Sequence, residues 1–333
     1  CTFEEKVDNA EAAGYDAVII FNEGNPGRTD LFIGTLGTPQ GIPVVGASFA
    51  DGQELYTETQ AGPVTARVIT KTENDPNRKT VNVIADSPKG KIKSQTIVVG
   101  AHLDSVIAGP GINDNGSGSS TILEIAEQLA ALKYTKKLQR QVRFAFWGAE
   151  ELGLLGSEYY VKSLSDDQLA KIYANLNFDM LGSPNYVRFV YDGDGSDGGP
   201  VGPPGSGAIE DIFTNYFDKK GLASEPTAFD GRSDYGPFIA VGIPAGGLFS
   251  GAEGIKTEEE AKIYGGTAGE PYDACYHQAC DDITNLSDKA LSELGDAAAH
   301  ATLTLALSKT GLLADGSRHA KVKVTSKAAK QQL

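Results

Sequence analysis

The sequence predicts an α/β fold whose sheet is covered on both faces, and three observations carry that reading. Ile97-Val98-Val99 is a short, apolar, β-branched run bounded by glycine, the pattern of a strand buried on both sides. From Thr121 onward Ile122, Ile125, Ala126, Leu129 and Ala130 recur at helical spacing, so a helix follows that strand. Gln141 to Trp147 (QVRFAFW) then repeats the buried-strand pattern. With 333 residues the chain has room for one large α/β domain and a smaller one.

Taken in order, Phe3 to about Ala13 reads as a short helix closed by Gly14, and Ala17 to Phe21 as a strand. A Gly/Pro/Asn loop leads to a second strand at Ile42-Pro43-Val44-Val45 and a short helix that begins at Ala50. This part carries no cluster of ionisable groups, and the domain boundary is placed near Gly62. VTARVIT and TVNVIAD, between Pro63 and Gly90, are β-rich runs joined by the polar turn Glu73 to Arg78 and predict a hairpin. After the strand at Ile97, a long loop carries His102, Asp104 and Asp114 into the helix. A bare strand-to-helix connection needs only about two to six residues, so this excess is where function is sought.

Beyond Trp147, helices are expected from Gly156 to about Leu164 and from Ser165 to Tyr173. A strand from Asn175 to Met180 delivers Asp179. Asp192 to Gly207 is a Gly/Pro/Ser/Asp loop, and Ala208 to Lys220 a helix stopped by Gly221. The loop Gly231 to Gly236, a strand around Ala245 to Phe249 and a long helix from about Ser287 to Leu307 complete the domain, assigned to residues 63–312. Residues 313–333 are polar and basic and are expected to form a loose tail.

The formal net charge of −15 argues against nucleic acid or an anionic membrane as the main partner. No apolar run approaches the roughly 18 residues that span a bilayer. No signal peptide is visible, and Cys1-Thr2-Phe3 does not look like a natural beginning, so the chain reads as a fragment or a processed form. Of three cysteines, Cys275 and Cys280 are near enough to bridge around Tyr276 and His277, which implies an oxidising compartment. So small a loop adds about 2 kcal/mol by the chain-entropy estimate, and its larger effect is to pin the histidine. Free thiols or a zinc knuckle are the alternatives, but no second cysteine pair completes a knuckle. Cys1 is left over.

His102, Asp104, Asp114, Glu150, Glu151, Asp179 and His277 all arrive at the carboxyl ends of expected strands, where open α/β sheets place ligands. Uncompensated, these carboxylates repel one another, and two divalent cations resolve the conflict. Imidazole with carboxylate suits zinc. The economical arrangement gives each ion one histidine and one terminal carboxylate, with a single aspartate bridging. Glu150 and Glu151 are adjacent and point apart, so one can ligate while the other serves as general base. Tyr276, beside His277, is placed to donate to an oxyanion. Taken singly, each of these residues has a plainer reading: a structural histidine, a helix cap, a solvated acid or a turn former. Their joint occurrence favours a site. His300 reads as packed among alanines and His319 as solvated.

"HLDS", "GINDNGSG", "EELGLLGS", "NFDMLG", "GRSDYGPF" and "CYHQACD", in that order, resemble the M28 family of metallopeptidases, in particular its secreted bacterial and fungal aminopeptidases. Cys1 to Ile20 is similar to the second half of a protease-associated domain, so residues 1–62 read as an incomplete α/β cap. The resemblance implies a three-layer α/β/α domain with a mixed, mostly parallel central sheet, phosphorylase/hydrolase-like and of zinc-peptidase type. It implies two zinc ions, with His102 and Asp179 on one, Glu151 and His277 on the other, and Asp114 bridging. It implies Glu150 as general base, a cis bond between Asp114 and Asn115, Arg232 and Tyr276 in contact with substrate, and Asp104 behind His102, orienting it. The expected activity is release of the N-terminal residue from peptides and proteins with a free amino terminus. A carboxypeptidase, a one-zinc glutaminyl cyclase, a silent receptor-like module and a serine hydrolase using Ser233 or "GSGSS" are the alternatives weighed.

Overall fold

The computed structural model describes residues 2–25, 28–29, 31, 34, 36–72 and 77–313. The chain divides into two compact units between Lys79 and Thr80. In the first, strands β1 (Val18–Phe21) and β2 (Val44–Ala47) pair in parallel. Helix α1 (Phe3–Ala12) opens with a capping box in which Thr2 and Glu5 satisfy each other's backbone N–H groups. Helix α2 (Phe49–Ala61), capped by Ser48, runs further than the short helix expected at Ala50.

The second unit is built on seven strands: β3 (Val83–Asp86), β4 (Thr96–His102), β5 (Gln141–Trp147), β6 (Ile172–Phe178), β7 (Phe189–Tyr191), β8 (Glu225–Thr227) and β9 (Ala245–Phe249). Their order is β3-β5-β4-β6-β9-β7-β8. The central run β5-β4-β6-β9 is parallel, β3 and β7 join it antiparallel, and β8 pairs in parallel with β7. The sheet is therefore mixed and mostly parallel, as expected.

Helices α3 (Gly118–Ala131), α4 (Leu155–Ser163), α5 (Asp166–Leu169), α6 (Ser206–Lys220), α7 (Gly236–Ala240), α8 (Glu258–Tyr264) and α9 (Asp288–Leu307) complete this unit. Ile122, Ile125 and Leu129 of α3, Ile209, Phe213 and Phe217 of α6 and Leu294, Ala298 and Leu305 of α9 pack on one face of the sheet. Tyr160 and Val161 of α4, Leu169 of α5 and Phe238 of α7 cover the other, around Val98, Ala145 and Trp147. Every residue of β6 is buried, which is why its pattern reads as apolar with no alternation. Helix α6 ends at Gly221, whose φ of +67° suits a residue without Cβ.

Two expectations are corrected. The hairpin does not form: no described residue between 63 and 72 is a strand, and TVNVIAD pairs through β3 with β5 instead. Its turn at Glu73 to Pro76 lies outside the described residues. β3, exposed along its length, pairs at the sheet edge with the mostly buried β5, whose outer hydrogen-bonding groups it satisfies. The helix expected over Ser165 to Tyr173 stops after one turn, because Ile172 and Tyr173 already belong to β6. The tail from residue 314 lies outside the described residues.

Candidate active site

Three parallel strands deliver the site. His102 is the last residue of β4, Glu150 and Glu151 follow β5 across a turn, and Asp179 follows β6 immediately. Asp114 comes from the irregular turn Ile112–Ser117 that leads into α3, where the Asp114–Asn115 bond is cis. His277 lies in the small loop closed by the Cys275–Cys280 disulfide, with Cα atoms 5.3 Å apart. Ala149, Met180 and His277 adopt left-handed backbone, φ 56–58°, a conformation that non-glycine residues seldom hold away from functional sites.

The structure brings the expected groups together. His102 Nε2 lies 3.1 Å from both Asp114 Oδ1 and Asp179 Oδ1. His277 Nε2 lies 3.2 Å from Asp114 Oδ2 and 3.0 Å from Glu151 Oε2. The two oxygens of Asp114 thus face two different imidazoles. Glu150 joins His102 and Asp179 in one cluster, while Glu151 joins His102 and Asp114 in another.

The charge balance is extreme. Burial, with Asp179 next in weight, pushes the Glu150 carboxyl up to about 9. Burial also raises Glu151, although His277 opposes it. Burial would raise Asp114 too, but hydrogen bonds from both imidazoles outweigh it and take it down to about 2. His277 is carried up to about 10 against its own burial by Asp114 and Glu151, and His102 is likewise raised, mainly by Asp179. The imidazoles are raised because carboxylates crowd them, and Glu150 is raised because it is buried beside other acids. A single Nε2 cannot serve two carboxylates at once, and Glu151 Oε1 is buried with no partner. Imidazole and carboxylate oxygens in this grouping fit a pair of divalent cations.

Asp104 lies behind His102, as expected, and also has a second role. Its backbone carbonyl lies 3.1 Å from His102 Nδ1, fixing the ring, whereas its carboxylate is 3.8 Å away. That carboxylate accepts from the N–H groups of Glu150 at 3.0 Å and Glu151 at 3.3 Å, and so holds the glutamate turn. Arg232 and Tyr276 line the same cleft of about 210 Å³ with Asp114, Glu150, Glu151 and Asp179. Arg232 is exposed and pairs with Glu253 at 3.5 Å. Tyr276 stacks on His277, ring centroids 3.8 Å apart. A larger apolar groove of about 680 Å³ runs between α3 and α9, and among the described residues its lining offers no imidazole or thiol. His300 is exposed on α9 rather than packed, its ring 4.8 Å from that of Tyr216. His319 lies outside the described residues.

Several supporting residues escaped the sequence reading. Asp281 accepts from the N–H groups of Asn113 at 2.8 Å and Asp114 at 3.0 Å. Asn115 accepts from Gly118 and Met180 and donates to Phe178 O, tying the turn to β6. Ser233 donates to Asp179 Oδ2 at 2.6 Å. In the sequence Asp281 appears only as the last residue of CYHQACD, Asn115 only through its expected cis bond and Ser233 only as an alternative nucleophile; the supporting role of each is not legible there.

A mixed α/β/α sheet that gathers two imidazoles and four carboxylates at its carboxyl edge offers the donor set of a binuclear metal site. The chain belongs to peptidase family M28: that family's profile matches residues 82–302, and the PA domain profile matches residues 1–55. It is 51% identical over 314 residues to an aminopeptidase of Pseudomonas aeruginosa, covering 92% of this chain and 56% of that protein. It is 48% identical over 295 residues to leucine aminopeptidase 2 of Trichophyton rubrum, covering 87% of this chain and 57% of that one. The chain thus spans little more than half the length of these relatives. Among solved structures it is similar to the aminopeptidase of Aneurinibacillus sp. strain AM-1, with TM-score 0.68 and 28% identity over 92% of this chain and 67% of that one. The zinc aminopeptidase of Bacillus subtilis gives TM-score 0.66 and 29% identity over 93% and 68%.

Proposed function

We propose that the chain carries the catalytic domain of a di-zinc aminopeptidase acting on peptides and proteins with a free amino terminus. The observation that carries this reading is Asp114, whose two carboxylate oxygens each face a different histidine. His102 and Asp179 would hold one zinc, Glu151 and His277 the other, with Asp114 shared. When bound, such ions supply the positive charge that polarises the scissile carbonyl and acidifies both water and the neighbouring carboxyl groups.

The chain's own residues do the rest. Glu150, which ligates neither ion, takes the proton from the attacking water and returns it to the departing amine. The Tyr276 hydroxyl, fixed by the stack on His277 and by the disulfide loop, donates to the carbonyl oxygen as charge develops there. Glu150 and Asp179 meet the substrate ammonium and disfavour a carboxylate in the same place. Met180, Tyr191, Phe249 and Ala252 give the cleft an apolar wall, which suits an N-terminal side chain of leucine size. Arg232, the one cation among the described residues that line the cleft, is engaged with Glu253, so a carboxypeptidase pocket has little support.

Residues 63–312 form the proposed catalytic domain and residues 1–62 a partial protease-associated domain; the profile matches to 1–55 and 82–302 support two domains, and the compact units part later in the chain, between Lys79 and Thr80. The disulfide supports an extracellular setting, and among the described residues no helix is long and apolar enough to cross a membrane. The test is a panel of amino-acid amides with free or acetylated amino groups. Hydrolysis confined to free termini, fastest for apolar residues, is the expected result. Equal cleavage of acetylated substrates would contradict the proposal.

A further inference from the structure

Between the sheet and helices α4 and α7 the protein buries a group of polar atoms that have no hydrogen-bond partner of their own. Among the described residues, eight buried side-chain nitrogens and oxygens lack a hydrogen bond. Six of them are Trp147 Nε1, Asn175 Nδ2 and Oδ1, Asn177 Oδ1 and the two carboxylate oxygens of Asp234. Register places the strand residues together. Gly100 of β4 lies between Ala145 of β5 and Asn177 of β6, and Val98 lies beside Asn175. Gly100 leaves the floor open, and the Trp147 indole nitrogen fills that opening: a Cβ there would stand 2.5 Å from Nε1. Trp147 is walled in by Tyr160 of α4 and Phe238 of α7, ring centroids 5.2 and 5.9 Å away. Asn177 donates through Nδ2 to Ser233 Oγ at 2.8 Å, and the next residue is Asp234, 0% exposed. Ser157 of α4 is within hydrogen-bonding reach of Asp234 and lowers its carboxyl against the rise that burial imposes, while the same hydroxyl also lies 3.2 Å from Leu154 O.

Unpartnered polar atoms at this depth are costly, and an ionisable carboxyl is the costliest. Ordered water would satisfy most of them. One water that accepts from Trp147 Nε1 and donates to Asn177 Oδ1 and to Asp234 makes about three hydrogen bonds, the usual number for buried water. A second, accepting from Asn175 Nδ2 and donating to the other Asp234 oxygen, brings the satisfied atoms to five of the six and leaves Asn175 Oδ1.

Such water would hold Asn177 on its oxygen side, as Ser233 holds it on its nitrogen side. Because Ser233 Oγ accepts from Asn177, its own hydrogen is left to point at Asp179 Oδ2, 2.6 Å away. We propose that Asp234 is a positioning residue that anchors ordered water in this chamber, and that through Asn177 and Ser233 the water fixes Asp179 at the metal centre. The positioning half rests on the reading of Asp179 as a zinc ligand; the hydration half does not.

The test uses the protein's sole tryptophan. In isotopically labelled wild-type protein the one indole N–H resonance is expected to exchange slowly and to show a cross-peak to bound water. An indole with no water cross-peak overturns the hydration half. Asp234→Asn is expected to move that resonance and to weaken one of the two zinc ions about 10–100-fold in competition with a chelator, leaving the other within about twofold. The loss should fall on kcat, with KM little changed. On a Ser233→Ala background the same substitution should add less than about a twofold further loss, since the two residues act along one chain of contacts. Unchanged zinc affinity in Asp234→Asn, or a full additional loss in the double variant, overturns the positioning half. A wet chamber in a wild-type protein that binds no zinc would support the hydration half and overturn both the positioning half and the functional proposal.

Discussion

Asp281 offers a sharp perturbation, because it touches none of the proposed zinc ligands through its own ligand atoms yet holds one of them in place. It is 1% exposed, and its carboxylate receives the N–H groups of Asn113 and Asp114 and the Asn285 amide at 2.8–3.1 Å. Asp281→Ala removes the acceptor and leaves two backbone N–H groups without a partner in a site closed to solvent. Each such group costs about 1–3 kcal/mol, so the substitution should destabilise the protein by about 2–6 kcal/mol. Asp281→Asn keeps one acceptor oxygen and turns an amide hydrogen toward the other N–H, so about half of that loss is expected. The Asp114 backbone carries the shared carboxylate, so zinc affinity should fall along with stability, by about 10–100-fold on the scale of outer hydrogen bonds to metal ligands. The assay is urea unfolding with and without saturating zinc, beside a chelator competition. Stability and zinc affinity both within experimental error of wild type for Asp281→Ala would refute the argument.

Glu150→Gln keeps the shape of the side chain and removes the base. Turnover is expected to slow about 10²–10⁴-fold with two zinc ions retained, and loss of zinc instead would make Glu150 a ligand. Reading out the charge balance requires the metal-free protein. There Glu150 titrates near 9 against an ordinary 4.5, and His277 near 10 against 6.5. Each binds a proton more tightly when folded, so its contribution is full below the ordinary value and is lost as pH climbs to the folded one. Thermal midpoints of chelated protein should therefore fall between about pH 4.5 and 10, and zinc should stabilise more at the upper end of that window than at the lower. A flat profile would count against the site's electrostatics. Replacing Cys275 and Cys280 by serine should cost about 2 kcal/mol of stability and a larger share of activity, since the loop carries both Tyr276 and His277. An enzyme whose turnover is unchanged would show that the loop holds its shape unaided.

The metal-binding groups were legible because chemistry at strand ends leaves local marks. His102, Glu150, Glu151 and Asp179 each close or follow an apolar run, and His277 sits between two cysteines close enough to bridge. What holds those groups was hidden, because Asp281, Ser233 and Asn115 act on partners remote in sequence, and their residue types are common in loops. The same distance explains the errors in the fold. Nothing local says that TVNVIAD pairs with β5 and not with the run before it, or that Ile172 already belongs to a strand. Strands of three residues such as β7 and β8 carry too little pattern to be seen, and their places follow from β9, which pairs with β7, and from β7, which pairs with β8. Asp104 shows the limit most clearly: its place beside His102 was evident, but the division of labour between its carbonyl and its carboxylate required the turn after β5.

The central claim is that the crowd of acids and imidazoles is held together by two cations, and a zinc titration of the chelated protein tests it most directly. Activity on a leucine amide is expected to return only as zinc approaches two equivalents per chain, with the bound metal reaching the same number. Saturation of binding at less than one equivalent, or full activity in the chelated protein, would contradict the account.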